Sequence, residues 1–176
     1  MEPPSFYQSV QQEIHCGALV PTIWCITVVE GAFGRLLIRQ EIPSYIPYLK
    51  KVTEYGPRIC TVKLGSRGAL VYDKKSGECY HVPAYSTENV VDVTSCGDCF
   101  CGSFITSFIN DEDIFVAAMK AAVSASFNIE HYGCLENFQI PYDVVRDRYE
   151  AFSHTVDRRR CLALLWTCLS NRRPAG

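Results

Sequence analysis

Apolar positions along this chain change their spacing several times, and each change predicts an element. From Ile23 to Val29 apolar and β-branched residues run almost unbroken and stop at Glu30-Gly31, as a buried strand does. Ile46, Leu49 and Val52 recur at helical spacing around Pro47, and Tyr55-Gly56-Pro57 closes that segment. Ile59 to Leu64 predicts a short strand. Beyond the glycines Gly65 and Gly68, Ala69 to Tyr72 and Cys79 to Val82 predict two strands joined by the loop Asp73-Lys74-Lys75-Ser76-Gly77. Val90 to Val93 predicts another brief strand, and the turn behind it leads into a helix from Gly97 to Ile109. Phe100, Phe104 and Phe108 recur every four positions there and mark its buried face. The acids Asp111, Glu112 and Asp113 precede an alanine-rich helix, Ile114 to Ile129, with Gly133 expected to end it. Pro141 opens a last segment, Tyr142 to Phe152, whose mixed charges predict an exposed helix.

Strands alternating with helices over residues 45–152 predict an α/β layer structure with helices covering a sheet. Residues 1–44 form an uncertain segment with one predicted strand. Residues 153–176 form an unassigned tail whose Arg158-Arg159-Arg160 is expected to be a solvated turn. No internal repeat or low-complexity tract interrupts the scheme.

A length of 176 residues, 48% hydrophobic, suits one sizeable core. The 17 basic and 19 acidic residues are interspersed, so no electrostatic footprint for nucleic acid or an anionic membrane is expected. The run Cys161 to Leu169 falls short of the roughly 18 residues that span a bilayer. No basic segment leads into an apolar run at the start, so a reducing, cytoplasmic setting is expected. The ten cysteines are irregularly spaced and read mostly as small buried hydrophobes.

The candidate chemistry lies in Asp92 to Phe100, DVTSCGDCF. A helix N-terminus exposes unpaired amides and a partial positive charge, so a tight turn ahead of it can receive a phosphate. Thr94-Ser95-Cys96-Gly97 is the predicted turn. Asp98, at the helix start, would lie close enough to a bound phosphate to take a proton from an attacking hydroxyl, a general-base position. A plainer alternative stays open, in which Asp98 only caps the helix.

With Cys101 to Phe104 added, the stretch resembles the signature of the ribokinase, or PfkB, carbohydrate kinase family, matching at Asp92, Val93, Thr94, Gly97, Asp98, Phe100 and Gly102. VKLGSRGALVY, Val62 to Tyr72, is similar to that family's nucleotide-side turn, and the alanine-rich helix followed by Gly133 and Ile140-Pro141 is similar to its closing segment. The resemblance implies a three-layer ribokinase-like fold with helices on both faces of the sheet. It implies ATP with Mg2+, phosphoryl transfer to a sugar or nucleoside-like small molecule, and Asp98 as the base. The amides of Ser95, Cys96 and Gly97 would form the anion hole, and Gly65, Ser66 and Gly68 would line the nucleotide. Asp92 and Thr94 match positions that bind a monovalent cation such as K+ in some members.

Several positions depart from the family pattern. Ser95 replaces a glycine, Cys96 an alanine, and Lys63 a common threonine. Only 91 residues precede Asp92, so the acceptor-binding N-terminal half is expected to be missing, and the upstream Asn and Glu motif is not recognisable. Two other classes remain in view: a non-catalytic nucleotide-binding remnant, and a thiol redox protein using the Cys96 and Cys99 pair at a helix N-terminus. His15, His131 and His154 lie far apart and are assigned no role, and Cys79 and His81 read as a strand pair on one face.

Overall fold

The computed structural model describes residues 45–111, 113–133 and 140–158, together with the backbone of 23–27. The elements run β1 (Ile23–Thr27), α1 (Ile46–Thr53), β2 (Ile59–Lys63), β3 (Ala69–Asp73), β4 (Cys79–Val82), α2 (Cys96–Asp111), α3 (Ile114–Asn128) and α4 (Tyr142–Thr155). The four strands form one sheet in sequence order, with β1 parallel to β2 and the other pairs antiparallel.

Side chains alternate across the pleat, and both faces of this sheet are covered. Cys60, Val62, Leu70, Tyr72 and Cys79 point to one face and meet Tyr45, Ile46, Leu49 and Val52 from α1. Ile59, Ala69, Val71, Tyr80 and Val82 point to the other and meet the apolar sides of α2 and α3. The result is the expected helix, sheet, helix layering. Phe100, Phe104 and Phe108 line the sheet side of α2 with neighbouring rings stacked at 6.3 and 6.2 Å. Burial of each such side chain contributes about 1.5–3 kcal/mol.

Local chemistry sets the boundaries. Asp113 caps α3, its Oδ1 accepting from the N–H groups of Phe115 and Val116 at 2.9 and 3.1 Å. The β3–β4 hairpin is closed by Gly77 N–H donating to the Asp73 carbonyl at 2.8 Å, with Gly77 at φ 73°. Asp73, 4% exposed, is held by Arg58 through Nε and Nη2, both at 3.0 Å. Burial alone would raise its carboxyl pKa; the Arg58 hydrogen bonds and the Lys75 N–H outweigh that and leave it lowered.

The structure corrects two expectations and refines a third. Val90 to Val93 forms no strand: no described strand lies beside it, and Val91 and Asp92 instead donate to the Ile129 carbonyl at 2.8 and 3.2 Å. β-branched composition alone does not make a strand without a partner ladder. Gly133 does not end α3, which stops at Asn128 before a turn, and α2 runs one residue earlier and two residues later than its pattern. Arg158 is exposed, as expected, but it also makes specific contacts. Its Nη1 meets Asp113 Oδ2 at 2.7 Å, its Nε donates to Tyr80 Oη at 3.2 Å, and its guanidinium lies 5.1 Å from the Tyr80 ring centroid. Val156 packs against the core cluster and Arg158 contacts it, while His154, Thr155 and Asp157 are exposed; Arg159, Arg160, Val28, Val29, His15 and the run Cys161 to Leu169 lie outside the described residues. Among those described, no helix is long and apolar enough to cross a membrane.

Candidate functional site

The segment before α2 is shaped by its own side chains. Asp92 Oδ1 accepts from the Thr94 N–H at 2.9 Å, an Asx turn, and Oδ2 accepts from the Gly133 N–H at 3.2 Å. These hydrogen bonds hold the Asp92 carboxyl below its usual pKa, those from Thr94 most of all. The chain then reverses at Ser95, the one described non-glycine residue at positive φ, 60°. A left-handed conformation costs an L-residue about 1–2 kcal/mol, and this is the position at which a glycine was the expected occupant. Ser95 O accepts from the Asp98 and Cys99 N–H groups at 3.0 and 2.9 Å, which starts the helix.

The Cys96 N–H makes a long 3.4 Å contact to the Val93 carbonyl, and among the described residues the N–H groups of Ser95 and Gly97 meet no acceptor. This leaves donors open at the N-terminus of a helix of 16 residues. Asp98 is exposed in the first turn, and its carboxylate makes no hydrogen bond among the described residues, so it is reachable from solvent.

Asn128, the last residue of α3 and 0% exposed, was not singled out by its sequence context. Its Nδ2 donates to the Thr94 carbonyl at 2.7 Å and to Cys96 Sγ at 3.4 Å, and its Oδ1 accepts from the Cys99 thiol at 3.2 Å. The Cys96 thiol lies 3.8 Å from the Asp92 carbonyl. The two cysteines of the CxxC thus flank one buried amide and tie the turn to α3. The sequence signal was a polar residue at the end of a mostly apolar helix.

The second loop follows β2. Leu64 N–H donates to the Gly68 carbonyl at 2.7 Å and Gly68 N–H to the Gly65 carbonyl at 2.9 Å, closing a tight turn over Gly65–Arg67. Gly65, at φ 59°, faces open space, and Ser66 is exposed. Gly68 is required for a different reason: at φ 85°, a Cβ there would sit 2.1 Å from the Val82 carbonyl oxygen. Arg67 lies along Tyr45, and its carbonyl accepts from His81 Nε2 at 2.7 Å, which fixes that tautomer.

Lys63, the last residue of β2, joins the two loops. Its Nζ donates to the Gly97 carbonyl at 3.0 Å and lies 3.1 Å from Cys101 Sγ. The Gly65–Gly68 loop, the Ser95–Asp98 turn and an ammonium therefore gather at the carboxyl end of the parallel pair β1 and β2, where ligands enter α/β sheets. The described residues contain no group of three or more His, Cys, Asp or Glu suited to a metal ion. Both Asp92 oxygens and the Thr94 carbonyl already accept hydrogen bonds, from the Thr94 and Gly133 N–H groups and from Asn128 Nδ2. His131 Nδ1 donates to the Phe127 carbonyl at 3.0 Å, and His154 is exposed.

Comparison with known proteins shows the fold and family of the chain. A nucleoside kinase of Methanocaldococcus jannaschii is 29% identical over 89 residues, 51% of this chain and 28% of that protein. A solved structure of a putative ribokinase II from E. coli in complex with ATP and Mg2+ superposes with a TM-score of 0.55 at 26% identity, covering 77% of this chain and 40% of that one. Ribokinase from Giardia lamblia superposes with a TM-score of 0.56 at 27% identity, covering 73% of this chain and 43% of that one. The fold is thus part of a ribokinase fold, and the chain spans less than half the length of these relatives. The family model for pfkB carbohydrate kinases matches residues 4–141, most of the chain. The chain belongs to the pfkB family of carbohydrate kinases.

Proposed function

We propose that this chain supplies the nucleotide-handling part of an ATP-dependent kinase that phosphorylates a hydroxyl of a sugar or nucleoside-like small molecule. The observation that carries the reading is the convergence of the open amides of Ser95 and Gly97, the exposed Asp98 carboxylate and the Gly65–Gly68 loop at one end of the sheet, tied by Lys63. In this assignment Ser95, Cys96 and Gly97 present N–H groups to the transferring phosphate, where the helix dipole favours negative charge. Asp98 accepts the proton of the attacking hydroxyl. Gly65 and Ser66 line the nucleotide, and Gly68 keeps that loop tight against the end of β4. Phosphoryl transfer needs positioning and charge neutralisation more than covalent help, which suits so sparse a site.

Mg2+, carried by the nucleotide phosphates, would neutralise charge on the transferring group; a site with one or two carboxylates is normal for that ion. A monovalent cation at Asp92 and Thr94 would have to use their remaining lone pairs, and K+ dependence of turnover would test it.

Ser95, held at φ 60° where the family pattern has glycine, favours a second reading, nucleotide binding without turnover. ATP consumption across a sugar and nucleoside panel, for wild type and Asp98→Asn, together with nucleotide binding by calorimetry, separates the two. Turnover that falls by about 10²-fold or more in Asp98→Asn is expected of a general base. Equal turnover in both would remove that role from Asp98, binding without turnover would establish the second reading, and no nucleotide binding at all would sink both.

A further inference from the structure

We propose that Asn128 is a positioning residue for the phosphate turn, the group that holds Ser95 in its left-handed conformation; this rests on reading the turn as a phosphate cradle. Ser95 sits at φ 60° without the freedom of glycine, and such a residue persists only where its surroundings over-determine it. Three contacts do so from one buried side chain: Asn128 reaches the Thr94 carbonyl before Ser95, Cys96 Sγ after it, and Cys99 Sγ one helical turn on. Asp92 secures the outer side of the same loop through the Thr94 and Gly133 N–H groups. α3 thereby sets the direction of the open Ser95 and Gly97 N–H groups although Asn128, fully buried, cannot itself touch a ligand. Cys96 and Cys99 act here as hydrogen-bonding spacers on either side of the amide.

The test compares wild type, Asn128→Ala, Ser95→Gly and the double variant of the full chain in two measurements. One is ADP affinity by calorimetry. The other is hydrogen exchange of the Asp98 and Cys99 N–H groups, which donate to Ser95 O. Asn128→Ala is expected to weaken ADP binding and to speed exchange at both amides, each about fivefold to tenfold, the scale of the conformational cost it must otherwise offset. In the Ser95→Gly background both effects should shrink below about twofold, because glycine takes the same conformation without that cost. Asn128→Ser serves in place of Asn128→Ala if the latter does not fold. Unchanged exchange in the folded variants, or equal effects in the wild-type and Ser95→Gly backgrounds, would overturn the inference and leave Asn128 a purely structural residue. Wild type that binds no ADP would fail the phosphate reading instead, and exchange would still decide whether Asn128 holds the turn.

Discussion

Lys63 Nζ lies 3.0 Å from the Gly97 carbonyl oxygen, so the end of a central strand is tied to the first turn of the helix that presents the candidate anion site. The ammonium also brings positive charge toward that turn. Lys63→Met keeps the stem and removes both effects. It is expected to lower stability by about 1 kcal/mol, as loss of a partly exposed charged hydrogen bond does, and to weaken ADP binding with a shallower salt dependence. Urea denaturation and calorimetry at two ionic strengths check this; affinity and salt dependence equal to wild type would show that the ammonium serves the fold alone.

Gly65 and Gly68 should respond unequally to alanine. Both have positive φ, but a Cβ at Gly65 meets open space, whereas one at Gly68 collides with the Val82 carbonyl and the Pro83–Ala84 backbone. Gly65→Ala should cost about 1 kcal/mol, the left-handed cost alone. Gly68→Ala should cost several times that or abolish soluble expression. Equal losses in urea denaturation would contradict the packing at Gly68.

Thiol reactivity should divide the described cysteines into two groups. Cys60 is buried with Cys79 beside it, and burial first, then that neighbour, pushes its thiol up to about 12. Cys96, Cys99 and Cys101 are partly exposed. Because the thiolate is the reacting species, alkylation near pH 8 followed by mass spectrometry should label the α2 group well before Cys60, which should react only on unfolding. Early labelling of Cys60 in folded protein would show that this layer opens readily.

Acid should weaken the fold through three carboxyls. Asp73, Asp113 and Glu130 are each partly desolvated, which raises their pKa values, yet pairing with Arg58, Arg158 and Arg148 leaves all three lowered. A carboxyl with a lowered folded-state pKa adds stability above its unfolded value, about 4, and that contribution is lost as pH falls through the folded value. Urea denaturation should show stability falling below about pH 4, with a smaller fall in Arg58→Met, where the Asp73 shift is reduced. The same pH slope in that variant would remove Asp73 from the account.

Phe104, fully buried between its stacked neighbours, is the test of the α2 core face. Phe104→Ala should cost about 3–5 kcal/mol, measured by chemical denaturation. A loss under about 1 kcal/mol would mean that α2 is not seated on the sheet as described.

Much was fixed by the chain's local patterns. Alternation in β2, β3 and β4 gave two apolar faces, the four-residue spacing of Phe100, Phe104 and Phe108 gave the seated face of α2, and Asp113 announced the start of α3, because each depends on neighbours a few residues away. The turn Thr94 to Gly97, with Asp98 at the helix start, was legible for the same reason: a glycine and acids at the head of an apolar helix carry their own local chemistry. What only the tertiary structure decided came from residues distant in the chain. Val90 to Val93 has strand composition but no ladder to join. Arg158 found Asp113 and Tyr80, and Lys63 found Gly97. Asn128 reached Thr94, Cys96 and Cys99 from the end of another helix. The sequence determined that a tight turn would precede α2; the packing of α3 against it decided which hydrogen bonds surround Ser95 at its positive φ, since those from Asn128 come from outside the turn.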